Sequence, residues 1–326
     1  MKDTFQRNIN YLRISVTDRC NLRCVYCMPE QGVDLACHED ILRLEEIARV
    51  VHSAVLAGIR KVRFTGGEPL VRKNIVDLVA MVNDIPEIDD IALTTNGILL
   101  PEMAGRLRKA GLTRVNISLD TLSPEKFSRV TRGGLLSKAW LGVESAREAG
   151  FNPVKINTVA IRGFNDDEIL DFVDLTRKVP LHIRFIELMP IGAGEEAARS
   201  QYISTPELLK TISRKVKLVP EKEVAGSGPA RYYRIPGAPG TVGFISPISN
   251  HFCDSCNRLR LTSEGLLRPC LHSPTEIDLK TPLRNGASEI EIASIIKLAI
   301  NSKPERHDMS NTGWQGNRRI MNQIGG

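Results

Sequence analysis

The chain has 326 residues and a formal net charge of +6. Hydrophobic residues make up 42% and charged residues 25%, which is typical of a globular protein and excludes a disordered or collagen-like chain. We expect no transmembrane helix and no signal peptide, because no run of about 18 apolar residues occurs and the N-terminus lacks an apolar region. These features predict a cytoplasmic protein whose modest positive charge suits an anionic ligand without requiring nucleic acid.

Six short segments, each rich in β-branched residues and bounded by Gly, Asn or Asp, predict strands. In chain order they are Tyr11–Val16, Lys61–Thr65, Ile91–Thr95, Arg114–Leu119, Val154–Ile161 and His182–Leu188. Apolar residues at helical spacing between them predict helices. These cover Leu42–Val55, Ile75–Val82, Pro101–Ala110, Ala139–Ala149 and Asp166–Lys178. Because neighbouring parallel strands need crossover connections, the alternation predicts a parallel sheet.

Polar and glycine residues follow several of the predicted strands. The segments are Thr65-Gly66-Gly67-Glu68, Thr94-Thr95-Asn96-Gly97, Ser118-Leu119-Asp120 and Glu187-Leu188-Met189. Ligands bind at the carboxyl ends of parallel strands in barrels and in open α/β sheets. We therefore expect the functional site at this edge of the sheet.

The strand–helix alternation stops after Pro190, where Gly- and Pro-rich stretches begin. This change predicts two domains, over residues 1–200 and 201–326. The second is expected to be a smaller α+β domain with a helix over Glu289–Asn301.

Seven cysteines are present, and six of them form two groups. The first group is Cys20, Cys24 and Cys27, and the second is Cys253, Cys256 and Cys270. An odd number of cysteines argues against a disulfide framework, and thiolates suit zinc or iron–sulfur clusters. Three cysteines leave one position open on a cubane cluster. The alternatives are a zinc knuckle completed by Cys37 or His38 and a zinc ribbon completed by His272. We otherwise expect Cys37 to be a free, packed thiol.

Arg258 and Arg260 lie two residues apart, directly after the second cysteine pair. In an extended segment both side chains point to one face. Two guanidinium groups beside a cluster favour phosphate binding. Surface arginines are the alternative.

The segment from Cys20 to Cys27, with Tyr26 before the third cysteine, resembles the signature of the radical S-adenosylmethionine superfamily. Gly66-Gly67-Glu68-Pro69 resembles its second motif. Along nearly its full length the chain also resembles the GTP 3′,8-cyclase family of molybdenum cofactor biosynthesis. The further motifs that carry this resemblance are Arg13–Asn21, Arg63–Leu70, Leu93–Gly97, Asn116–Asp120, Arg184–Met189, Cys253–Cys270 and the terminal Ile324-Gly325-Gly326.

The resemblance implies an incomplete (βα)6 TIM-like barrel whose open side is covered by the C-terminal domain. It implies two [4Fe–4S] clusters, one on each cysteine group, together with S-adenosylmethionine. The implied contacts to S-adenosylmethionine are Tyr26, Gly67, Ser118 and Met189. The implied contacts to GTP are Arg13, Arg63, Thr94, Lys155, Arg184, Arg258, Leu259 and Arg260. The implied catalytic residues are Arg258, Arg260, Gly325 and Gly326.

Four of these cations, Arg13, Arg63, Lys155 and Arg184, lie on predicted strands. If they point inward, they form a positive cavity that a triphosphate can neutralise, because unpaired buried cations are costly. The alternative for each is a solvated or ion-paired surface residue.

The implied activity is that of a lyase. It converts GTP to (8S)-3′,8-cyclo-7,8-dihydroguanosine 5′-triphosphate after a 5′-deoxyadenosyl radical removes the C3′ hydrogen of the ribose. The implied partners are an external electron donor and the downstream cyclic pyranopterin monophosphate synthase, with homodimer formation left open and no nucleic acid or membrane. The alternatives are another radical S-adenosylmethionine enzyme with an auxiliary cluster, such as a peptide-modifying one, an electron carrier, and a zinc-binding nucleic-acid module.

Overall fold

The computed structural model of the protein describes residues 1–191, 195–222, 224, 226, 228–307 and 319–325. The strands in this part are β1 (Tyr11–Ser15), β2 (Lys61–Thr65), β3 (Asp90–Thr95), β4 (Arg114–Ser118), β5 (Val154–Ala160), β6 (Leu181–Glu187), β7 (Val219–Glu221), β8 (Arg231–Arg234), β9 (Thr241–Ile245), β10 (Arg258–Leu261), β11 (Leu266–Arg268) and β12 (Ile277–Asp278). The helices there are α1 (Leu44–Leu56), α2 (Ile75–Asn83), α3 (Leu100–Lys109), α4 (Pro124–Thr131), α5 (Leu136–Glu148), α6 (Ile169–Lys178), α7 (Glu195–Gln201), α8 (Thr205–Ser213), α9 (Lys280–Arg284), α10 (Glu289–Asn301) and α11 (Met321–Ile324).

All six predicted strands form, each within one residue of its predicted ends, and the helix over Glu289–Asn301 has the predicted bounds. The sequence analysis missed α4, although its first turn carries a recognisable signal. The Ser123 hydroxyl oxygen accepts a hydrogen bond from the backbone N–H of Lys126 at 3.3 Å, and Pro124 follows it at the first helical position. A serine cap before proline therefore marked this helix in the sequence.

The strands form one sheet in the order β12-β11-β10-β1-β2-β3-β4-β5-β6-β9-β8-β7. The run from β10 through β1–β6 to β9 is parallel throughout, and the outer strands are antiparallel. The order has two ends, so the described strands do not close a barrel by hydrogen bonding. The expected incomplete barrel with a C-terminal α+β part is confirmed.

Strands from beyond residue 200 extend both edges of the predicted sheet. The strand β10 pairs with β1, placing Arg260 opposite Arg13, and β9 pairs with β6. Both sides of the predicted boundary at 200/201 therefore share one sheet, and the division into two domains stays a prediction.

The two faces of the sheet differ in chemistry because strand residues alternate sides. In β1, Leu12 and Ile14 are fully buried in the apolar core, whereas Arg13 between them lines a cavity. In β2, Val62 and Phe64 join the core on either side of Arg63. One face of the sheet thus packs on the helices, and the other presents charged and polar groups to an interior space.

Across the described ranges, no helix is both long and apolar enough to span a membrane. Cys37 is exposed, which corrects the expectation of a packed thiol.

Candidate active site

A cavity of about 320 Å³ lies on the polar face of the sheet, at the carboxyl ends of the central strands. Most of the site residues predicted from the sequence line it. They are Arg13, Cys20, Cys24, Tyr26, Cys27, Arg63, Gly67, Thr94, Ser118, Arg184, Met189, Cys253, Cys256, Arg258, Arg260 and Cys270. The fold therefore brings both cysteine groups and the arginines into one space.

Four predicted residues differ from this pattern. Lys155 is buried beyond the cavity lining, with its Nζ 5.4 Å from the ring centroid of Tyr232. The Leu259 side chain is fully buried in the core on the other face of β10, so only its backbone can contact a ligand. Gly325 is buried next to the cavity, and Gly326 lies outside the described residues.

The first cysteine group lies on the loop after β1. The backbone N–H of Cys27 donates to Cys24 O at 2.9 Å, which forms a turn, and the N–H of Leu22 donates to Cys20 Sγ at 3.4 Å. Burial raises the pKa of Cys20 to about 11 and that of Cys27 to about 12. Such thiols need a strongly bound cation to ionise, and three soft sulfur donors fit iron.

The glycine motif after β2 packs directly against this cysteine loop. A Cβ atom on Gly67 would lie 2.4 Å from the carbonyl oxygen of Arg19, so only glycine allows this approach. Glu68 is buried and accepts hydrogen bonds from Thr95 Oγ1 and from the backbone N–H of Asn96, both at 2.7 Å. Burial raises the pKa of Glu68 to about 7. These contacts hold the ends of β2 and β3 together beside the cysteines.

Tyr26 and Asp120 form a second polar contact at this end of the cavity. The Tyr26 hydroxyl donates to the Asp120 carboxylate, which also accepts from the N–H of Val159 at 2.8 Å. Burial raises the pKa of Asp120 to about 6. The contact fixes the aromatic ring of the cysteine motif against the ends of β4 and β5.

The second cysteine group also lines the cavity. Burial raises the pKa of Cys256, but Arg258 and Lys303 outweigh this effect and lower it to about 6. Lys303 is buried and donates from Nζ to the carbonyl oxygens of Arg258 at 3.0 Å and Pro269 at 2.6 Å. This lysine ties the two ends of the cysteine loop together and favours thiolates there.

Neither cysteine group converges with a further ligand on a single-ion site among the residues that the structure describes. The sulfurs around one tetrahedral zinc, bound at about 2.3 Å, would have to lie close together. The donor set of three cysteines in each group fits an iron–sulfur cluster with one open position.

Buried cations dominate the floor of the cavity. Burial lowers the pKa of Arg13, with the charges of Arg260 and Arg63 adding to the effect. Burial, with the Arg258 charge, lowers the pKa of Arg260 to about 9. In the described part of the chain, no carboxylate forms an ion pair with Arg63, Arg184, Arg258 or Arg260.

Several buried polar atoms around these cations also have no hydrogen-bond partner within the described ranges. They are Nε of Arg63, Nε of Arg184, Oγ1 of Thr94 and Oδ1 of Asn157. Donors and acceptors left unsatisfied in a charged cavity are costly unless a ligand satisfies them. A polyanion that also carries hydroxyl or amine donors fits this arrangement.

The C-terminal tail enters the site next to Arg260. The Arg260 guanidinium donates to Ile324 O at 3.2 Å and to the carbonyl oxygen of Gly325. Gly325 has φ +70°, and a Cβ atom there would lie 2.6 Å from Cγ2 of Thr65. Both the backbone conformation and the space require glycine.

Several residues that the sequence analysis missed support the site. Asn157 could have been found from strand alternation, since it follows Lys155 by two positions on β5. Arg7 donates to the carbonyl oxygen of Cys253 at 3.1 Å, and no local pattern marks it. His251 and His272 both pack against His307 beside the second cysteine group, with ring centroids 5.8 and 6.2 Å apart.

Two known protein families match this chain, one over its N-terminal half and one over most of the remainder. Residues 14–176 match the Radical SAM superfamily, and residues 181–309 match Molybdenum Cofactor Synthesis C. The two matches contain the first and the second cysteine group, respectively.

Curated relatives match over the full length. The chain is 59% identical to the GTP 3′,8-cyclase of Pelotomaculum thermopropionicum and 55% identical to that of Heliobacterium modesticaldum, covering 100% of each chain. It is 56% identical to the GTP 3′,8-cyclase of Moorella thermoacetica, again covering 100% of both chains.

Among solved structures, Streptococcus suis SuiB bound to precursor peptide SuiA is similar, with a TM-score of 0.61. The match covers 90% of this chain and 67% of that chain at 15% identity. At this identity the likeness shows the fold alone and gives no support to a peptide substrate. From the family matches and the full-length identities, the chain belongs to the Radical SAM superfamily and, within it, to the GTP 3′,8-cyclase family.

Proposed function

We infer that the protein is a GTP 3′,8-cyclase, a lyase that joins ribose C3′ to guanine C8 in molybdenum cofactor biosynthesis. Its product is (8S)-3′,8-cyclo-7,8-dihydroguanosine 5′-triphosphate. The observation that carries this inference is one cavity that holds two three-cysteine groups together with Arg63, Arg184, Arg258 and Arg260, none of which pairs with a carboxylate in the described chain. Full-length relatives that are GTP 3′,8-cyclases support it.

Two [4Fe–4S] clusters and S-adenosylmethionine are the cofactors. We assign the first cluster to Cys20, Cys24 and Cys27 and the second to Cys253, Cys256 and Cys270. The first cluster with S-adenosylmethionine supplies the one-electron chemistry that removes the C3′ hydrogen atom. We assign contacts to S-adenosylmethionine to Tyr26, Gly67, Ser118 and Met189, all of which line the cavity on the side of the first group.

The chain itself positions GTP and compensates its charge. Arg13 and Arg63 on the adjacent strands β1 and β2, and Arg184 on β6, line one space, where a triphosphate would replace their mutual repulsion with attraction. Arg258 and Arg260 extend this positive surface toward the second cysteine group. Thr94, Lys155 and the backbone of Leu259 complete the proposed contacts to GTP.

Gly325 and Gly326 are proposed to complete the site from the C-terminus. The Arg260 guanidinium donates to the carbonyl oxygen of Gly325. The same arginine therefore binds the tail and contributes positive charge to the cavity. The tail would exclude water from this side of the cavity during radical chemistry.

Further partners belong to the same proposal. We propose that an external electron donor reduces the first cluster and that the product passes to the cyclic pyranopterin monophosphate synthase. A cytoplasmic location agrees with cysteines that serve as cluster ligands, since thiols persist in reducing compartments. Homodimer formation is left open.

Anaerobic incubation of the reconstituted protein with dithionite, S-adenosylmethionine and GTP deuterated at C3′ tests the function. We expect 5′-deoxyadenosine that carries deuterium, and a new product isomeric with GTP. If 5′-deoxyadenosine forms while GTP stays unchanged, the substrate is wrong and Arg258 and Arg260 need another assignment.

A further inference from the structure

Asn322 combines burial, a place in the active-site cavity and an unsatisfied acceptor. It lies in α11 with 2% of its surface exposed, and it lines the cavity. Its Nδ2 donates to the backbone carbonyl oxygen of Asp18 at 3.1 Å. Its Oδ1 is buried and meets no donor among the residues that the structure describes.

The surroundings of Asn322 place it on the side of the first cysteine group. Its backbone N–H lies near the sulfur of Cys27, where it partly offsets the rise that burial causes in the pKa of that thiol. The adjacent residues Met321 and Ile324 pack against Met189 and Ile191, which follow β6. The tail segment is thus held between the first cysteine group and a residue that we assign to S-adenosylmethionine.

A buried amide oxygen without a donor costs on the order of 1–3 kcal/mol. A ligand with N–H or O–H groups at this end of the cavity would remove that cost. S-adenosylmethionine carries such donors in its amino group, ribose hydroxyls and adenine amine. GTP also carries donors, in its guanine and its ribose, but the contact of Asn322 with Asp18, just before the first cysteine group, favours S-adenosylmethionine, which we assign to that group.

We propose that Asn322 binds S-adenosylmethionine through Oδ1, so that the C-terminal tail is part of the S-adenosylmethionine site. The inference rests on the proposed function, which places S-adenosylmethionine in this cavity. It adds a contact from a segment about 300 residues away from the first cysteine group in the chain. Because linkage is reciprocal, S-adenosylmethionine then stabilises the seated tail as much as the seated tail strengthens its binding.

The first test measures S-adenosylmethionine affinity by calorimetry on the reconstituted protein without reductant or GTP. Asn322→Ala keeps the backbone N–H that reaches Cys27, so the iron content should equal that of the wild type. Loss of one neutral hydrogen bond should weaken S-adenosylmethionine binding about five- to ten-fold. Asn301→Ala, the same substitution at the exposed end of α10, is the matched control and should bind like the wild type.

The second test follows the tail directly, with intact-mass analysis during carboxypeptidase digestion. S-adenosylmethionine should slow trimming of the wild-type C-terminus several-fold, and Asn322→Ala should lose most of that protection. This readout does not depend on turnover.

Unchanged S-adenosylmethionine affinity in Asn322→Ala would overturn the proposal, and so would an equal loss in Asn301→Ala. A weaker affinity for GTP alone would also overturn it and would move Asn322 to the substrate side. If the wild-type protein failed to bind S-adenosylmethionine at all, the proposed function itself would fall. The two failures are therefore distinguishable.

Discussion

Individual side chains on the inner face of the sheet carry an electrostatic cost in the ligand-free protein. Burial lowers the pKa of Lys155 to about 6, and the charges of Arg184, Arg114 and Arg63 contribute. Between this value and the ordinary 10.5, the unfolded chain binds a proton that the native protein does not. The free energy of unfolding therefore rises with pH across this window. Lys155, which we propose as a contact to GTP, therefore destabilises the ligand-free protein below about pH 10.

Lys155→Met should raise the melting temperature of the ligand-free protein near neutral pH, because folding strips the proton from the buried lysine, whereas methionine has no proton to lose. The difference in melting temperature between Lys155→Met and the wild type should be largest near pH 6. It should shrink toward pH 10, because the wild-type lysine then loses its proton in the unfolded chain as well as in the native protein. GTP binding should weaken at least about ten-fold, since a charged hydrogen-bond donor is lost. Thermal unfolding across pH and GTP titration measure both effects.

Lys178→Met is the matched control, since Lys178 is exposed at the end of α6. It should change neither the pH dependence nor the affinity for GTP. An excess melting temperature of Lys155→Met that stayed constant from about pH 6 to about pH 10 would contradict the assignment.

Gly325→Ala should displace the tail, because the new methyl group meets Thr65 at 2.6 Å and the backbone conformation at φ +70° is strained for alanine. We expect cyclisation to slow at least about ten-fold while the iron content stays unchanged. Thr65→Ser removes the methyl group that would clash, so the double variant should recover part of the rate. Gly105→Ala, where nothing lies within 4 Å, is the neutral control.

A wild-type rate of cyclisation in Gly325→Ala would show that the tail does not act from this position. Product quantification by mass spectrometry decides between these outcomes.

At the scale of elements, the N-terminal segment clamps the second cysteine loop. Arg7 forms a buried ion pair with Asp3 at 2.6 Å. Its guanidinium donates to the backbone carbonyl oxygens of Cys253, Lys303, Pro304 and Glu305. These hydrogen bonds and the pairing of β10 with β1 together fix the position of the second cysteine loop beside the cavity.

Arg7→Met should leave Asp3 buried and unpaired, at a cost of about 3 kcal/mol. We expect the second cluster to be lost first, so that iron per chain falls to about half while the first cluster persists. Iron analysis and electron paramagnetic resonance of the reduced protein measure this. Arg306→Met, which removes an exposed pair with Glu305 at 3.4 Å, should retain both clusters. Equal iron contents in the two variants would contradict the clamp.

At the scale of the whole molecule, one sheet joins both predicted domains. The edges of β1 and β6 are covered by β10 and β9, which come from beyond residue 200. An uncovered edge of a parallel sheet exposes backbone groups that pair with other chains. The predicted domains are therefore expected to depend on each other for solubility.

Residues 1–200 expressed alone should aggregate, because both outer strands of the parallel run lose their partners. Coexpression with residues 201–326 should restore soluble protein. Size-exclusion chromatography of each fragment and of the pair measures this. A soluble, monomeric fragment 1–200 with cooperative unfolding would show that the first domain is independent.

The chemistry and the central fold could be predicted from the sequence because both depend on short-range patterns. Cysteine spacing, the motif from Gly66 to Pro69 and the alternation around Arg13 and Arg63 all act over a few residues. Strand alternation also predicts that Arg258 and Arg260 share one face. Such signals survive in the sequence since each element must satisfy its own hydrogen bonds and bury its own apolar side.

The distant segments that complete the site are set by tertiary packing alone. The parallel pairing of β10 with β1, the contact of Arg7 with Cys253, and the place of Asn322 against Cys27 join residues more than 200 positions apart. These contacts depend on which strands cover the edges of the sheet and on how the C-terminal tail packs. No repeating pattern of residues in the sequence predicts them. Local patterns thus specify which groups react in this protein, whereas long-range packing specifies what surrounds them.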